Sequence, residues 1–260
     1  TPTRYLWSDK ESYLATAPVP RWARPLLTSI YPALQRWDLA ASARPTSYIA
    51  NSQTVAARLE KYYHRTASAV IFPPVDANQF TIRQSVGQYW FTVARLEPYK
   101  RLDLILDAFA ELGWPLTVAG TGSRRVELER WSSYSNIEFV GRVSDDQLAR
   151  LYGEARAVIF AANEDAGIVP LEAMAAGRPV LAFGAGGALE TVLPGVTGAF
   201  FDEQTVLSLV AALRAFHPAD FDPTTIRAYA LTFDESAFAD KIQGVISCEL
   251  TPNRSVHGIR

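Results

Sequence analysis

From residue 85 onward, short apolar runs alternate with amphipathic stretches, and that alternation predicts most of the architecture. Tyr89–Ala94, Pro115–Ala119, Ile137–Val140, Ala157–Ala161 and Pro179–Phe183 each read as a short buried strand, with Gly198–Phe201 as a sixth. Between them lie helical patterns. Leu102–Leu112 has apolar residues at 102, 105, 106 and 109, and Arg124–Trp131 is a second helix. Ser144, with Gln147 three residues later, is a capping box that opens a third, running to Gly153. Pro170–Ala176 is a fourth, ended by Gly177. Buried strands alternating with helices predict an α/β fold: a doubly wound parallel sheet with helices on both faces. Ligands of such sheets sit beyond the carboxyl ends of the strands.

The first third reads differently. Pro18, Pro20, Pro25 and Pro32 punctuate it, and a helix is expected from about Pro32 to Arg44. A short strand at Tyr48–Ser52, a helix at Val55–Tyr63 and a strand-like run at Ala69–Phe72 follow. Pro73-Pro74-Val75-Asp76 interrupts both helix and ladder. The expected division is therefore a mainly helical part at 1–75, a linker at 76–84, the sheet domain at 85–232, and a closing helix with tail at 233–260. Phe233–Leu250 forms that helix, with Asp234 as its cap.

The length of 260 residues suggests one or two domains at roughly 150 residues each. The 48% hydrophobic content excludes disorder. The single cysteine, Cys248, excludes an internal disulfide framework and Cys-rich zinc modules; it fits a reducing, cytoplasmic setting and reads as a packed or idle thiol. No apolar run approaches the ~20 residues that a membrane span needs. The net charge of −2 conceals an asymmetry. Residues 1–75 hold nine basic and four acidic side chains, and also Trp7, Trp22, Trp37 and six of the eleven tyrosines. Basic plus aromatic suits an anionic surface, such as a membrane face or a phosphorylated acceptor. The plainer reading is that these aromatics pack a core. Nucleic acid is disfavoured, since no basic helix, zinc spacing or stacking motif accompanies the charge.

Candidate chemistry falls in the loops after the strands. Ala94–Arg101 sets two cations, Arg95 and Lys100, between the first strand and its helix; a planar fork beside a point charge suits a diphosphate. Gly120-Thr121-Gly122 and Gly141-Arg142 follow the second and third strands, either letting backbone approach a ligand or forming plain tight turns. The fourth loop runs Asn163-Glu164-Asp165-Ala166-Gly167-Ile168-Val169 into a helix whose amino end is an anion site, with Glu172 in its first turn. Carboxylates repel phosphate, so Glu164 and Glu172 suit hydroxyls on either side of a diphosphate. Alternatively, Glu172 complements the helix dipole and Glu164 is solvated. The fifth loop, Gly184–Glu190, is glycine-rich and opens another helix.

Together these loops resemble the retaining nucleotide-sugar glycosyltransferases of family 4, with the GT-B fold. The likeness rests on Arg95…Lys100, Gly120-x-Gly122, Gly141-Arg142, Glu164-x7-Glu172 and Gly186-Gly187…Glu190, in the family's order over residues 85–200. Thr1-Pro2-Thr3-Arg4-Tyr5-Leu6-Trp7 and Ile49-Ala50-Asn51-Ser52 resemble its mannosyltransferase-like branch. The resemblance implies that Arg95 and Lys100 bind the donor diphosphate and Glu172 the ribose. Glu164 approaches the transferred sugar, and the backbone around Ala166, Gly167 and Ile168 contacts sugar and phosphates. Gly120, Gly122 and Arg142 complete the donor site. Transfer is then metal-independent, to a glycan or lipid-linked acceptor, peripheral on the inner membrane face. GDP-mannose is the favoured donor, ahead of UDP-sugars. Ala166 departs from the aromatic common at its position, which leaves the sugar open. Residues 1–75 become the remainder of an acceptor-side domain whose larger part is expected to precede Thr1, so the piece alone is expected to transfer sugar poorly.

Other readings are weaker. A nucleotide-sugar-binding or regulatory subunit completed by a partner chain fits the same residues. Asp220-Phe221-Asp222 matches an Asp-x-Asp metal motif, but Asp222 before Pro223 reads better as a helix cap. His64, His217 and His257 lack metal or triad spacing. No Gly-x-Ser-x-Gly elbow or phosphate-binding Gly-Lys-Ser/Thr loop supports a hydrolase or ATPase.

Overall fold

In the computed structural model, residues 2–16, 20, 22, 24–84 and 87–250 are described. Thr1, Pro18, the expected domain start at 85–86, and the tail with His257 lie outside them. The chain divides into two units: Thr1–Ile71 with Ser247–Arg260, and Phe72–Ile246.

The first unit contains helices α1 (Lys10–Thr16), α2 (Arg24–Ala41) and α3 (Gln53–Arg58), and strands β1 (Ile49–Ala50) and β2 (Ala69–Val70), which pair in parallel. The expected break at Pro32 does not occur: Pro32 lies inside α2, and Pro25 occupies its second position. Pro25 loses no helical hydrogen bond there. Tertiary anchors carry the helix past Pro32. Tyr31 is buried, Gln35 donates to the Leu6 carbonyl at 2.7 Å, and Asp38 accepts from Trp7 Nε1 and the Tyr63 hydroxyl, each at 2.7 Å. Ser52 caps α3 by accepting from the Val55 amide. The chain then continues through a wider turn, Leu59–Tyr63, ended by His64 at φ +52°. Ala50, Val55, Leu59 and Tyr63 form a small core, with Trp7 and Tyr62 packed on it. The aromatics therefore divide: Trp7 is a packing residue, while Trp22 and Trp37 are 79% and 63% exposed.

The second unit is built on strands β3 (Trp90–Val93), β4 (Leu116–Ala119), β5 (Ile137–Gly141), β6 (Ala157–Phe160), β7 (Val180–Phe183) and β8 (Gly198–Phe201). All are parallel, in the order β5-β4-β3-β6-β7-β8. Helices α4 (Leu102–Leu112), α5 (Arg125–Leu128), α6 (Asp145–Glu154), α7 (Ile168–Ala175), α8 (Ala188–Thr191), α9 (Val206–Ala215), α10 (Pro223–Ala230) and α11 (Glu235–Leu250) surround or follow the sheet. Alternate strand residues enter opposite cores. Trp90, Leu116, Val118, Ile159 and Leu181 join α4 and α9. Phe91, Ala119, Val158, Phe160, Val180 and Ala182 join α6, α7 and α10. With both faces covered, strands read as apolar runs rather than alternating ones. Ala77 and Phe80, in the segment expected as a linker, are buried in the second of these cores. Strand order reverses between β3 and β6, and the crevice above that switch point is where open α/β sheets hold ligands.

The expected helix at Arg124–Trp131 is shorter, because α5 passes into a 3₁₀ turn at Glu129–Ser133. Asp222 caps α10 by accepting from the amides of Thr224 and Thr225, and Asp234 accepts from Ala237 at the start of α11. Cys248 is exposed, so it is not a packed thiol. Among the described residues no helix is long and apolar enough to cross a membrane.

Candidate functional site

Because β3 and β6 are hydrogen-bonded neighbours, their carboxyl-end loops rise side by side. Lys100 closes a 3₁₀ turn, Pro98–Lys100, in the β3 loop, and Glu164 lies in the β6 loop. The Lys100 Nζ donates to Glu164 Oε1, an ion pair spanning the switch point with both side chains mostly buried. Residues 64 positions apart in sequence thus share one crevice. The solvated alternative for Glu164 is excluded.

Arg101, immediately after Lys100, is held in the left-handed region at φ +53°. Its guanidinium donates to the side-chain and backbone oxygens of Gln204 at 3.1 and 3.2 Å. Gln204 in turn donates to the Ala161 carbonyl at 2.7 Å. Loops after β3, β6 and β8 are thereby tied together. Neither residue stood out in the sequence, since an arginine after a lysine and a glutamine in a loop carry no spacing signal.

The glycines of the β4 loop do something other than expected. A Cβ on Gly120, at φ +122°, would lie 1.9 Å from the Ala94 carbonyl oxygen, and one on Gly122 would lie 2.5 Å from the Leu96 nitrogen. Their bare α-carbons admit the β3 loop. The Leu96 amide donates to the Thr121 carbonyl at 3.0 Å. Glu97 adds a second tie, accepting from the Ser123 amide and hydroxyl at 3.1 and 2.8 Å. These bonds, with the nearby charge of Arg95, hold the Glu97 carboxyl below the usual range. Arg95 itself is exposed in the same loop. Arg142, also exposed, follows β5, two strands away from β3, on the order of 10 Å across the sheet. The structure does not bring it to the Lys100–Glu164 pair.

Helix α7 starts two residues earlier than expected, at Ile168, with Gly167 as its cap at φ +68°. A side chain at 167 would be strained there and would press on the Phe160 ring 3.1 Å away. Pro170 becomes the third helical residue, where a missing N–H still leaves no bond unmade. No side chain caps this helix. Ala166 is buried, and the Gly187 amide donates to the Glu164 carbonyl at 2.8 Å, so the fifth loop braces the fourth.

The earlier start moves Glu172 beyond the first turn, so it is not a dipole complement. Its Oε2 instead accepts from the Tyr152 hydroxyl at 2.7 Å. Burial pushes the Glu172 carboxyl above its usual value, opposed by the Tyr152 hydrogen bond and reinforced by Asp145. Tyr152 is fully buried, and its own ionisation is driven well upward by burial and by Glu172. Among the described residues no cluster of three metal-ligating side chains occurs.

A six-stranded parallel sheet in this order, with charged loops meeting over the switch point, defines a Rossmann-like domain. The family profile "Glycosyl transferases group 1" matches residues 81–219, more than half of the chain, and the chain belongs to that family. O-antigen chain mannosyltransferase C of Escherichia coli is 28% identical over 176 residues, covering 60% of this chain and 45% of the relative. D-inositol 3-phosphate glycosyltransferase of Segniliparus rotundus is 29% identical over 252 residues, covering 81% and 55%. The chain spans about a third to a half of the length of the curated relatives it matches. Among solved structures, Anabaena HepE in complex with UDP and glucose superposes with a TM-score of 0.71 at 23% identity, over 82% of this chain and 66% of that one. Sucrose-phosphate synthase of Thermosynechococcus elongatus gives 0.73 at 21%, over 83% and 61%. At such identities the likeness establishes the fold.

Proposed function

We propose that this chain carries the donor half of a retaining, metal-independent glycosyltransferase of the family 4 type. The observation that carries the reading is the Lys100–Glu164 pair: a cation and a hydroxyl acceptor on adjacent loops over the switch point, with Glu172 one turn along the helix that follows. In this reading Arg95 and Lys100 bind the diphosphate, assisted by the α7 amino end near Gly167 and Ile168. When the anomeric C–O bond breaks, the electron pair leaves on the phosphate oxygen, where these groups stabilise it electrostatically, while the acceptor hydroxyl oxygen bonds the anomeric carbon and its proton passes to the departing phosphate. Glu164 then accepts from hydroxyls of the sugar and Glu172 from the ribose. Ala166 lines the sugar end, while the Gly120 and Gly122 loop positions the cations. Arg142 contributes long-range positive charge only.

GDP-mannose is favoured by the likeness to a mannosyltransferase, while the UDP and glucose bound to HepE argue for UDP-sugars. The acceptor is a glycan or lipid-linked saccharide. The exposed Trp22 and Trp37 in the basic first unit suit a peripheral membrane position. A thermal-shift series with GDP, UDP, GDP-mannose, UDP-glucose and the bare nucleosides tests the donor site, because a ligand of the folded state raises its stability. Stabilisation by a diphosphate, abolished in Lys100→Ala, is expected. Equal stabilisation by nucleoside and diphosphate would overturn the phosphate assignment.

A further inference from the structure

Glu172 is unusual among the site residues because its carboxylate is held from behind. The Tyr152 hydroxyl, on α6, reaches across to Oε2 at 2.7 Å. Tyr152 has no access to solvent and cannot meet a ligand. Its ring is wedged edge-on against Phe80 and Phe91, with centroids 5.7 and 5.1 Å away, so the hydroxyl has little freedom to point elsewhere. A phenol in an apolar core needs a partner for its O–H. Here that need is met by one oxygen of a carboxylate whose other oxygen takes no protein hydrogen bond among those recorded for the described residues.

We propose that Tyr152 is a positioning residue: its O–H fixes the Glu172 carboxylate so that Oε1 faces the nucleotide, and thereby sets the preference for a ribose over a 2′-deoxyribose. The proposal rests on the donor-site reading above and adds the residue that makes it selective. A carboxylate free to rotate presents either oxygen at any angle. One anchored through Oε2 presents a single acceptor at a fixed place, the condition for discriminating a hydroxyl from a hydrogen.

Anchoring also favours the charged form of Glu172. Burial and Asp145 both favour the neutral acid, and the Tyr152 hydrogen bond opposes them. Besides Tyr152 and Asp145, α6 carries Asp146, Arg150 and Glu154, none of which is among the causes of the Glu172 shift. β6 and β7 bring no ionisable side chain, and α8 brings only Glu190. Arg227 of α10 is directed at the carbonyls of Ala77, Phe80 and Ala175. Removing the hydroxyl therefore raises the pH at which Glu172 takes up a proton.

The test compares GDP and UDP with their 2′-deoxy counterparts by titration calorimetry across pH 5–8, in wild type, Tyr152→Phe and Glu172→Ala. Phenylalanine retains the ring packing, and a single cooperative unfolding transition checks that the core is intact. Wild type is expected to prefer the ribonucleotide roughly tenfold, the scale of one charge-assisted hydrogen bond. Tyr152→Phe should lose most of that preference with little change for the deoxy form, and its ribonucleotide affinity should fall away at higher pH than wild type. An unchanged preference, an unmoved pH profile, or an equal loss for both sugars would overturn the positioning role. If Glu172→Ala keeps the preference, or no nucleotide binds wild type, the ribose assignment fails and the proposal fails with it. If Glu172→Ala loses the preference while Tyr152→Phe keeps it, only Tyr152 is refuted.

Discussion

Replacing Glu164 by glutamine should make a nucleoside diphosphate bind more tightly, although Glu164 belongs to the proposed site. The reason lies in the pair it forms. Side-chain exposures of 13% for Lys100 and 18% for Glu164 place the contact between a surface and a buried salt bridge. A charge-assisted bond of this kind is worth about 1–3 kcal/mol. A diphosphate that takes Lys100 must displace Glu164, so that amount is subtracted from binding. A displaced carboxylate at about 6 Å from a phosphate charge adds repulsion of roughly 1–3 kcal/mol at an effective dielectric constant of about 20–40. Glu164→Gln keeps the shape, weakens the competing contact and removes the repulsion. Part of the gain is offset by a Lys100 that is less well oriented. A net tightening of about 1–2 kcal/mol, some five- to thirtyfold, is expected for GDP or UDP. Lys100→Ala should weaken binding by about 1–3 kcal/mol. The double variant should depart from additivity by about 1 kcal/mol or more, as contacting residues do. Titration calorimetry of the four proteins at low and high salt measures all of this. Should Glu164→Gln bind the diphosphate as poorly as Lys100→Ala, with additive effects, the pair is a structural strut and the exchange reasoning is wrong.

Other predictions follow from the same geometry. The Glu172 carboxyl is pushed up in the folded state, so the fold binds its proton more tightly than the unfolded chain does. That contribution is complete below the ordinary glutamate value and is lost as pH rises through the folded one. Glu172→Gln should therefore melt higher than wild type at pH 7, with the gap shrinking toward pH 4; a lower melting point at pH 7 would contradict this. Gly120→Ala should cost well over the ~1 kcal/mol of an ordinary left-handed position, because its Cβ meets the Ala94 carbonyl. Gly113→Ala, at φ +68° with nothing within 4 Å, should cost only that ~1 kcal/mol, and urea midpoints compare the two. EDTA should leave nucleotide affinity unchanged, and Asp222→Ala should lower the unfolding midpoint by loss of the α10 cap without altering it. A manganese-dependent affinity would revive the metal reading of Asp220 and Asp222.

The sequence by itself determined the layered sheet, because a strand buried on both faces is apolar at nearly every position, Thr92 being accommodated by donating its hydroxyl to the Ile159 carbonyl. Trp90–Val93 and Ala157–Phe160 therefore announce themselves as short apolar runs between helices. It also determined helix ends where local chemistry suffices, as at Ser144 and Asp222, whose side chains accept from amides two or three residues on. Local rules failed where distant contacts outweighed them. Pro32 stays helical because Tyr31, Gln35 and Asp38 are anchored to other segments, which offsets the lost hydrogen bond. Gly120 and Gly122 looked like room for a ligand, and only packing revealed that the space belongs to the β3 loop. The partners of the charged residues were likewise invisible in one dimension. Strand order alone brings Lys100 to Glu164, and helix packing alone brings Tyr152 to Glu172. Spacing along a chain encodes what neighbours within a turn or a strand can do, whereas pairing across a sheet depends on which strands end up adjacent.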